Sequence, residues 1–228
     1  MNLTPDHIVL WHWGFVHLNA TILFTWGVMI LLTCFSWLAT RRVDDRNLRL
    51  SRWQNALEVL VEFMRGQIHE VCPQGADVYL PFIGTLFLFI ATSNVMDIVP
   101  GWHPPTGSLS TTAALAVSVA VAVPVFGIMR RGLVGYIRHY LKPSFFMLPF
   151  HLLSEVTRTL ALAVRLFGNI MSGSIIVGIL LLIVPLFFPV LMQLLGLLIG
   201  LIQAYIFSIL AMVYIAAAVQ SERGQEGT

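Results

Sequence analysis

Charge is the first thing this chain lacks. Only 11% of its 228 residues are Asp, Glu, Lys or Arg, against about 25% in an ordinary soluble domain. That scarcity excludes a water-soluble globular protein, and a hydrophobic share of 57% points to a single integral membrane domain. Cysteine is almost missing as well. Cys34 and Cys72 stand alone, which leaves neither a disulfide framework nor a cysteine zinc site. The histidines are scattered, with no pair three or four apart inside a span, so haem or a histidine-held metal is not expected. There is no P-loop, no HExxH and no GxSxG, which removes the familiar soluble catalytic chemistries. The net charge of +2 carries no nucleic-acid signal, because membrane topology accounts for the basic residues. Residues 1–6 lack a basic n-region, and no small-residue cleavage site follows a short apolar core, so the first span is expected to be retained.

What is present reads as five crossings and one surface helix. Residues 1–14 form an external segment with Trp11 and Trp13 at headgroup level. Residues 15–39 are charge-free and long enough to span, and Arg41 and Arg42 follow at once. Residues 44–72 place Trp53, Leu57, Leu60, Val61 and Met64 at helical spacing between Arg and Glu residues, the pattern of an amphipathic helix on the cytoplasmic surface. Pro73-Gln-Gly75 ends it. The second span runs over 78–99, a Pro/Gly turn outside covers 100–108, and the third span covers 109–129, closed by Arg130 and Arg131. A basic cytoplasmic loop occupies 132–147.

Residues 148–184 make a fourth span of about 54 Å at 1.5 Å per residue, against a hydrocarbon core of about 30 Å, so it must tilt or begin outside the core. Pro185 and Pro189 mark an outside turn, 190–219 return as a long fifth span, and 220–228 form a cytoplasmic tail. Apart from Arg158 and Arg165, every basic residue falls on one proposed side, which sets the N-terminus outside and the C-terminus inside. The fold class is therefore an all-α membrane protein whose last two helices are long, tilted and paired as a hairpin.

Arg165 is the anomaly in that scheme. From Leu160 to Val184 it is the one charge. A guanidinium keeps its proton in any ordinary protein environment, and placing it at the bilayer centre costs about 2.5–3.5 kcal/mol on insertion scales. An intramembrane ionisable group of this kind is a functional-site candidate. Helical spacing puts Glu155, Arg158, Leu162, Arg165, Asn169 and Ser172 on one face. The fifth span carries a matching stripe of Gln193, Gly196, Gly200, Gln203, Phe207 and Tyr214, where the glycines permit close helix approach. Gln193 and Gln203 also read as interhelical hydrogen-bond glue. A self-contained anion transporter or channel is the alternative from another class, but neither an internal repeat nor a helix break near Arg165 supports it.

The block Arg165-Leu-Phe-Gly-Asn169, followed by Gln203-Ala-Tyr-Ile-Phe207 and Tyr214-Ile215, resembles subunit a of the membrane sector of F-type ATP synthase. Asn94-Val-Met-Asp97-Ile-Val-Pro100 is similar to that family's second span, and the resemblance extends from about residue 15 to 219. It implies a non-catalytic stator with no cofactor, set in a bacterial inner membrane with a periplasmic N-terminus and a cytoplasmic C-terminus. Its implied partners are a rotating ring of c subunits, the peripheral-stalk b subunits and the rest of the complex. Two offset half-channels would couple proton flow to rotation and ATP synthesis. Arg165 would be the essential arginine that prevents leak, with Gln203 opposite. Asn169 would line the outer half-channel, and Asn94 and Asp97 its access from outside. Glu155, Arg158 and His151 would serve the inner half-channel. Ser174 and Gly196 depart from the family, which often has glutamate at the first position and sometimes histidine at the second. Ser174 would then contribute only a hydroxyl, and sodium remains the alternative coupling ion.

Overall fold

The computed structural model describes residues 9–13, 16–41, 52–73, 75–99, 102–141, 148–184 and 187–220. A short antiparallel ribbon comes first, β1 (Val9–Trp13) and β2 (Val16–Asn19), with Trp11 opposite Leu18 and His12 opposite His17. Six helices follow: α1 (Ala20–Thr40), α2 (Arg52–Val71), α3 (Ala76–Met96), α4 (Leu109–Leu141), α5 (Leu148–Ile183) and α6 (Phe188–Gln220). All but α2 are long and apolar enough to cross a membrane. The fold is thus helical apart from the ribbon, and the last two helices are packed together.

Three boundaries differ from the sequence expectation. The ribbon takes up residues assigned above to the first span, so α1 starts at Ala20 rather than near 15. Residues 9–19 alternate β-branched and aromatic side chains with others, a composition that suits a ribbon as well as an interfacial coil. The apolar span of the third crossing ends at Arg130 as expected, but its helix does not stop there. Helix continues to Leu141 across a break at Gly132, whose φ of 73° and ψ of 162° only glycine adopts without strain. The outer turn is not out in water either. Pro104 to Ser108 are all buried, in and around a single 3-10 turn at Pro105–Gly107 that touches α1, α3, α4 and α5. The expectations for 1–8, 42–51, 142–147 and 221–228, including Arg42, Arg46, Arg49, Lys142 and Arg223, lie outside the described residues.

Packing centres on α6, which presses most heavily on α3. Ala204, Phe207, Ala211, Met212 and Ile215 of α6 are fully buried, as are Tyr79, Ile83 and Ile90 of α3. The surface helix docks by its apolar stripe. Met64 and Ile68 are buried, while Glu58, Glu62, Arg65, His69 and Glu70 stay exposed. Two polar contacts fasten it: Arg65 pairs with Asp77 at 2.7 Å, and the Tyr205 hydroxyl donates to Gln67 Oε1 at 2.5 Å. Beside α1, Trp102 lies against Phe24 with ring centroids 4.8 Å apart, and it comes close because Gly27 carries no side chain.

Gly75, just ahead of α3, holds φ at 96°, and a Cβ there would run into the Arg130 guanidinium. Gly75→Ala is expected to cost about 1–2 kcal/mol for the left-handed conformation, before any cost of moving Arg130. The check is a lower thermal unfolding midpoint of the detergent-purified chain, part of which Arg130→Ala should restore.

Candidate functional site

Helix α5 is gripped on one side only. Leu162, Ala163, Leu166 and Ile170 are buried against its neighbours, while Arg158, Ala161, Arg165, Gly168, Ser172 and Ile176 are exposed at helical spacing. Arg165 stands midway along α5 on this bare face. It makes no hydrogen bond, ion pair or ring contact with any described residue. A permanent positive charge is therefore presented outward midway along an apolar helix, with no acid among the described residues to offset it. A Cβ at Gly168 or Gly173 would meet nothing within 4 Å, so contacts inside this chain do not require those glycines.

Gln203 lies midway along α6, on the opposite kind of surface. It is 7% exposed and its Nε2 is buried without a partner. The reading of Gln203 as interhelical glue is thus not met among the described residues. Arg165 precedes the end of α5 by about 27 Å of helix rise, and Gln203 follows the start of α6 by about 22 Å, so in a packed hairpin the two lie within about one turn of the same depth. Asn169 is half-buried at the edge of the bare face. The nearby hydroxyls are turned back onto the helix: Ser172 donates to the Asn169 carbonyl at 3.1 Å and Ser174 to that of Ile170 at 3.0 Å.

The outer ends of α3 and α6 are joined by polar groups. Asn94 is 3% exposed; its Nδ2 donates to the Gly200 carbonyl at 2.7 Å, and its Oδ1 accepts from the Thr106 hydroxyl at 3.3 Å. Gln193 Nε2 donates to the Asp97 carbonyl oxygen at 3.3 Å. The Asp97 side chain, just past the last turn of α3, remains half-exposed. Toward the other end, the Arg158 guanidinium sits over the Tyr214 ring, 5.2 Å from its centroid. His151 and Glu155 are half-buried one turn apart on α5. The structure therefore groups the candidate residues in three tiers: Asn94, Asp97 and Gln193 around the end of α3, Arg165 and Gln203 in the middle, and His151, Glu155 and Arg158 at the start of α5. Thr106 and Tyr205 were not singled out by the sequence. Thr106 sat in a stretch that reads as a surface turn, and Tyr205 within the Gln203–Phe207 motif gave no hint of its contact with Gln67.

An amide with no partner contributes nothing to stability where it is buried. Gln203→Leu should therefore leave the stability of the purified chain unchanged or raise it by about 0–1 kcal/mol, read as an unchanged or higher thermal midpoint. A marked drop in that midpoint would return Gln203 to a structural role.

Comparison with known proteins agrees over almost the whole length. Residues 22–216 match the family described as ATP synthase A chain. The chain is 60% identical to "ATP synthase subunit a 1" of Chlorobaculum parvum, covering 97% of each protein. It is 57% identical to "ATP synthase subunit a 2" of Acaryochloris marina, over 98% of this chain and 95% of the relative. It is also 57% identical to "ATP synthase subunit a" of Albidiferax ferrireducens, over 98% and 96%.

Proposed function

The chain belongs to the ATP synthase A chain family, and from that premise we propose that it is the membrane stator past which a rotating ring of ion-carrying carboxylates is driven. The observation that carries the reading is Arg165, a bare guanidinium on the exposed face of α5 with no partner among the described residues. Such a group calls for a neighbour that brings a negative charge to mid-membrane. The small exposed residues beside it, Ala161, Gly168 and Ser172, leave room for a helix of that neighbour to come close.

Magnitudes explain why the arginine enforces coupling. An ionised carboxylate in the bilayer centre costs about 2.5–3.5 kcal/mol on insertion scales. At about 4 Å from a guanidinium, in a medium of effective dielectric about 20, it gains about 4 kcal/mol. The two terms are of similar size and opposite sign. A ring carboxylate is therefore protonated facing lipid and ionised only beside Arg165. It must release its proton on one side of the arginine and take one up on the other. The same charge repels a free cation crossing between the two sides. Gln203 lies at similar depth on α6 with its Nε2 unpartnered, free to engage the guanidinium as the ring passes.

The outer half-channel in this reading runs past Asp97 to Asn169 and Ser174, and the inner one past His151, Glu155 and Arg158. The ring of c subunits lies against α5 and α6, and the peripheral-stalk b subunits hold the stator in place. The basic ends of the spans, Arg41, Arg130 and Arg131, support an N-terminus outside and a C-terminus in the cytoplasm, in this reading of a bacterial inner membrane. Protons are the coupling ion in this reading.

In Arg165→Ala the complex is expected to assemble to its normal level while ATP synthesis driven by an imposed ion gradient falls to background; coupled synthesis that survives removes the proposal. For the ion, ATP hydrolysis by the purified complex should be unaffected by added sodium, and sodium should give no protection against a carboxyl-modifying inhibitor. Either sodium effect would reassign the coupling ion.

A further inference from the structure

The contact between Asn94 and Gly200 joins segments 106 residues apart, and it is closely fitted. A Cβ at Gly200 would stand 3.0 Å from Asn94 Nδ2 and 3.1 Å from its Cβ and Cγ. The missing side chain on α6 and the carboxamide on α3 are thus a matched pair. The other end of the carboxamide is held by Thr106, itself fully buried in the outer turn. Three segments of chain meet at one side chain: α3, α6 and the loop between α3 and α4. Gly200 is one turn from Gln203 on the buried face of α6.

A slip of α6 along α3 by a single residue would move the Gly200 carbonyl about 1.5 Å, enough to break a hydrogen bond of 2.7 Å. Close packing along the same seam, where Ala204, Phe207, Ile83 and Ile90 are buried, resists such a slip as well, and the hydrogen bond adds a directional constraint to it. The carboxamide is therefore the buried polar group that fixes the axial register of the two helices at the level of Gly200.

We infer that Asn94 is a positioning residue for Gln203: bonded to Gly200 and Thr106, it fixes the depth at which α6 holds the Gln203 amide, one turn away. This rests on the stator reading, and it assigns Asn94 to alignment of the central tier rather than to the lining of the ion path. With 3% of its surface exposed and its Nδ2 and Oδ1 each bonded, Asn94 is committed to the seam.

The test uses the intact ATP synthase in membrane vesicles, with ATP-driven proton pumping scored per assembled complex. Asn94→Ala and Gln203→Ala are each expected to lower pumping about five- to tenfold, and the double variant to fall no further than Gln203→Ala. Asn94→Ala should also shift the pH midpoint of pumping in the same direction as Gln203→Ala, which a simple loss of stability would not do. Losses that multiply, or an unmoved midpoint, overturn the inference. Gly200→Ala should impair pumping, and adding Asn94→Ala should recover part of it by making room. A Gly200→Ala complex that pumps normally, or one that the second substitution does not help, overturns it too. If Asn94→Ala fails to assemble, Thr106→Val removes only the hydroxyl donor; its smaller loss should vanish in the Gln203→Ala background, and persistence there counts against the clamp. Arg165→Ala run in parallel reports on the stator reading alone, so failure of one idea is not mistaken for failure of the other.

Discussion

A cation that cannot be discharged, carried on the open side of a membrane helix, constrains everything around it. The insertion cost of Arg165 falls on a helix that has apolar contacts along only one face, through Leu162, Leu166 and Ile170. Those contacts must hold the helix while its charge has no counterpart among the described residues. That division explains the unequal burial of the last two helices. Helix α5 offers its charge and its small residues outward, and α6 is sunk into the bundle to brace it.

The bracing depends on small side chains more than on large ones. Gly200, Ala204, Ser208 and Ala211 follow one another at intervals of three or four and are all buried, so the α6 backbone can come close to α3 along its length. In lipid there is no water to drive such helices together, and close packing with a few well-placed hydrogen bonds has to do so. The Asn94 carboxamide and the Gln193 amide supply two of those bonds at the outer end, and Tyr205 with Gln67 supplies one to the surface helix.

Much of this was legible from patterning. Charge-free runs located the crossings because a bilayer admits little else, and Arg165 stood out for the same reason. The amphipathic spacing of α2 picked out Met64, which is buried, but also Val61, which is exposed. The failures have a common cause. A Pro/Gly-rich run signals a turn but not its depth, so the burial of Thr106 could not be read. Paired arginines signal a membrane surface but do not end a helix, so α4 ran on through Gly132. The stripes flagged Gly200 and Tyr214, but not that one would receive Asn94 and the other Arg158. Contacts across 50 or 100 residues are set by how helices stack, and local periodicity does not contain that information.

The sunken turn at Pro105–Gly107 bears on how such a chain is made. In chain order this segment links α3 and α4 and precedes α5 and α6. Its final surroundings include Ile170, against which a Cβ at Gly107 would stand 3.3 Å away, and Asn94, whose other partner is Gly200. The turn can settle into its berth only after the whole chain has been synthesised and threaded. Maturation of the outer rim is therefore a late, post-translational event, and until then the Thr106 hydroxyl and the Asn94 amide must be satisfied by water at the membrane surface.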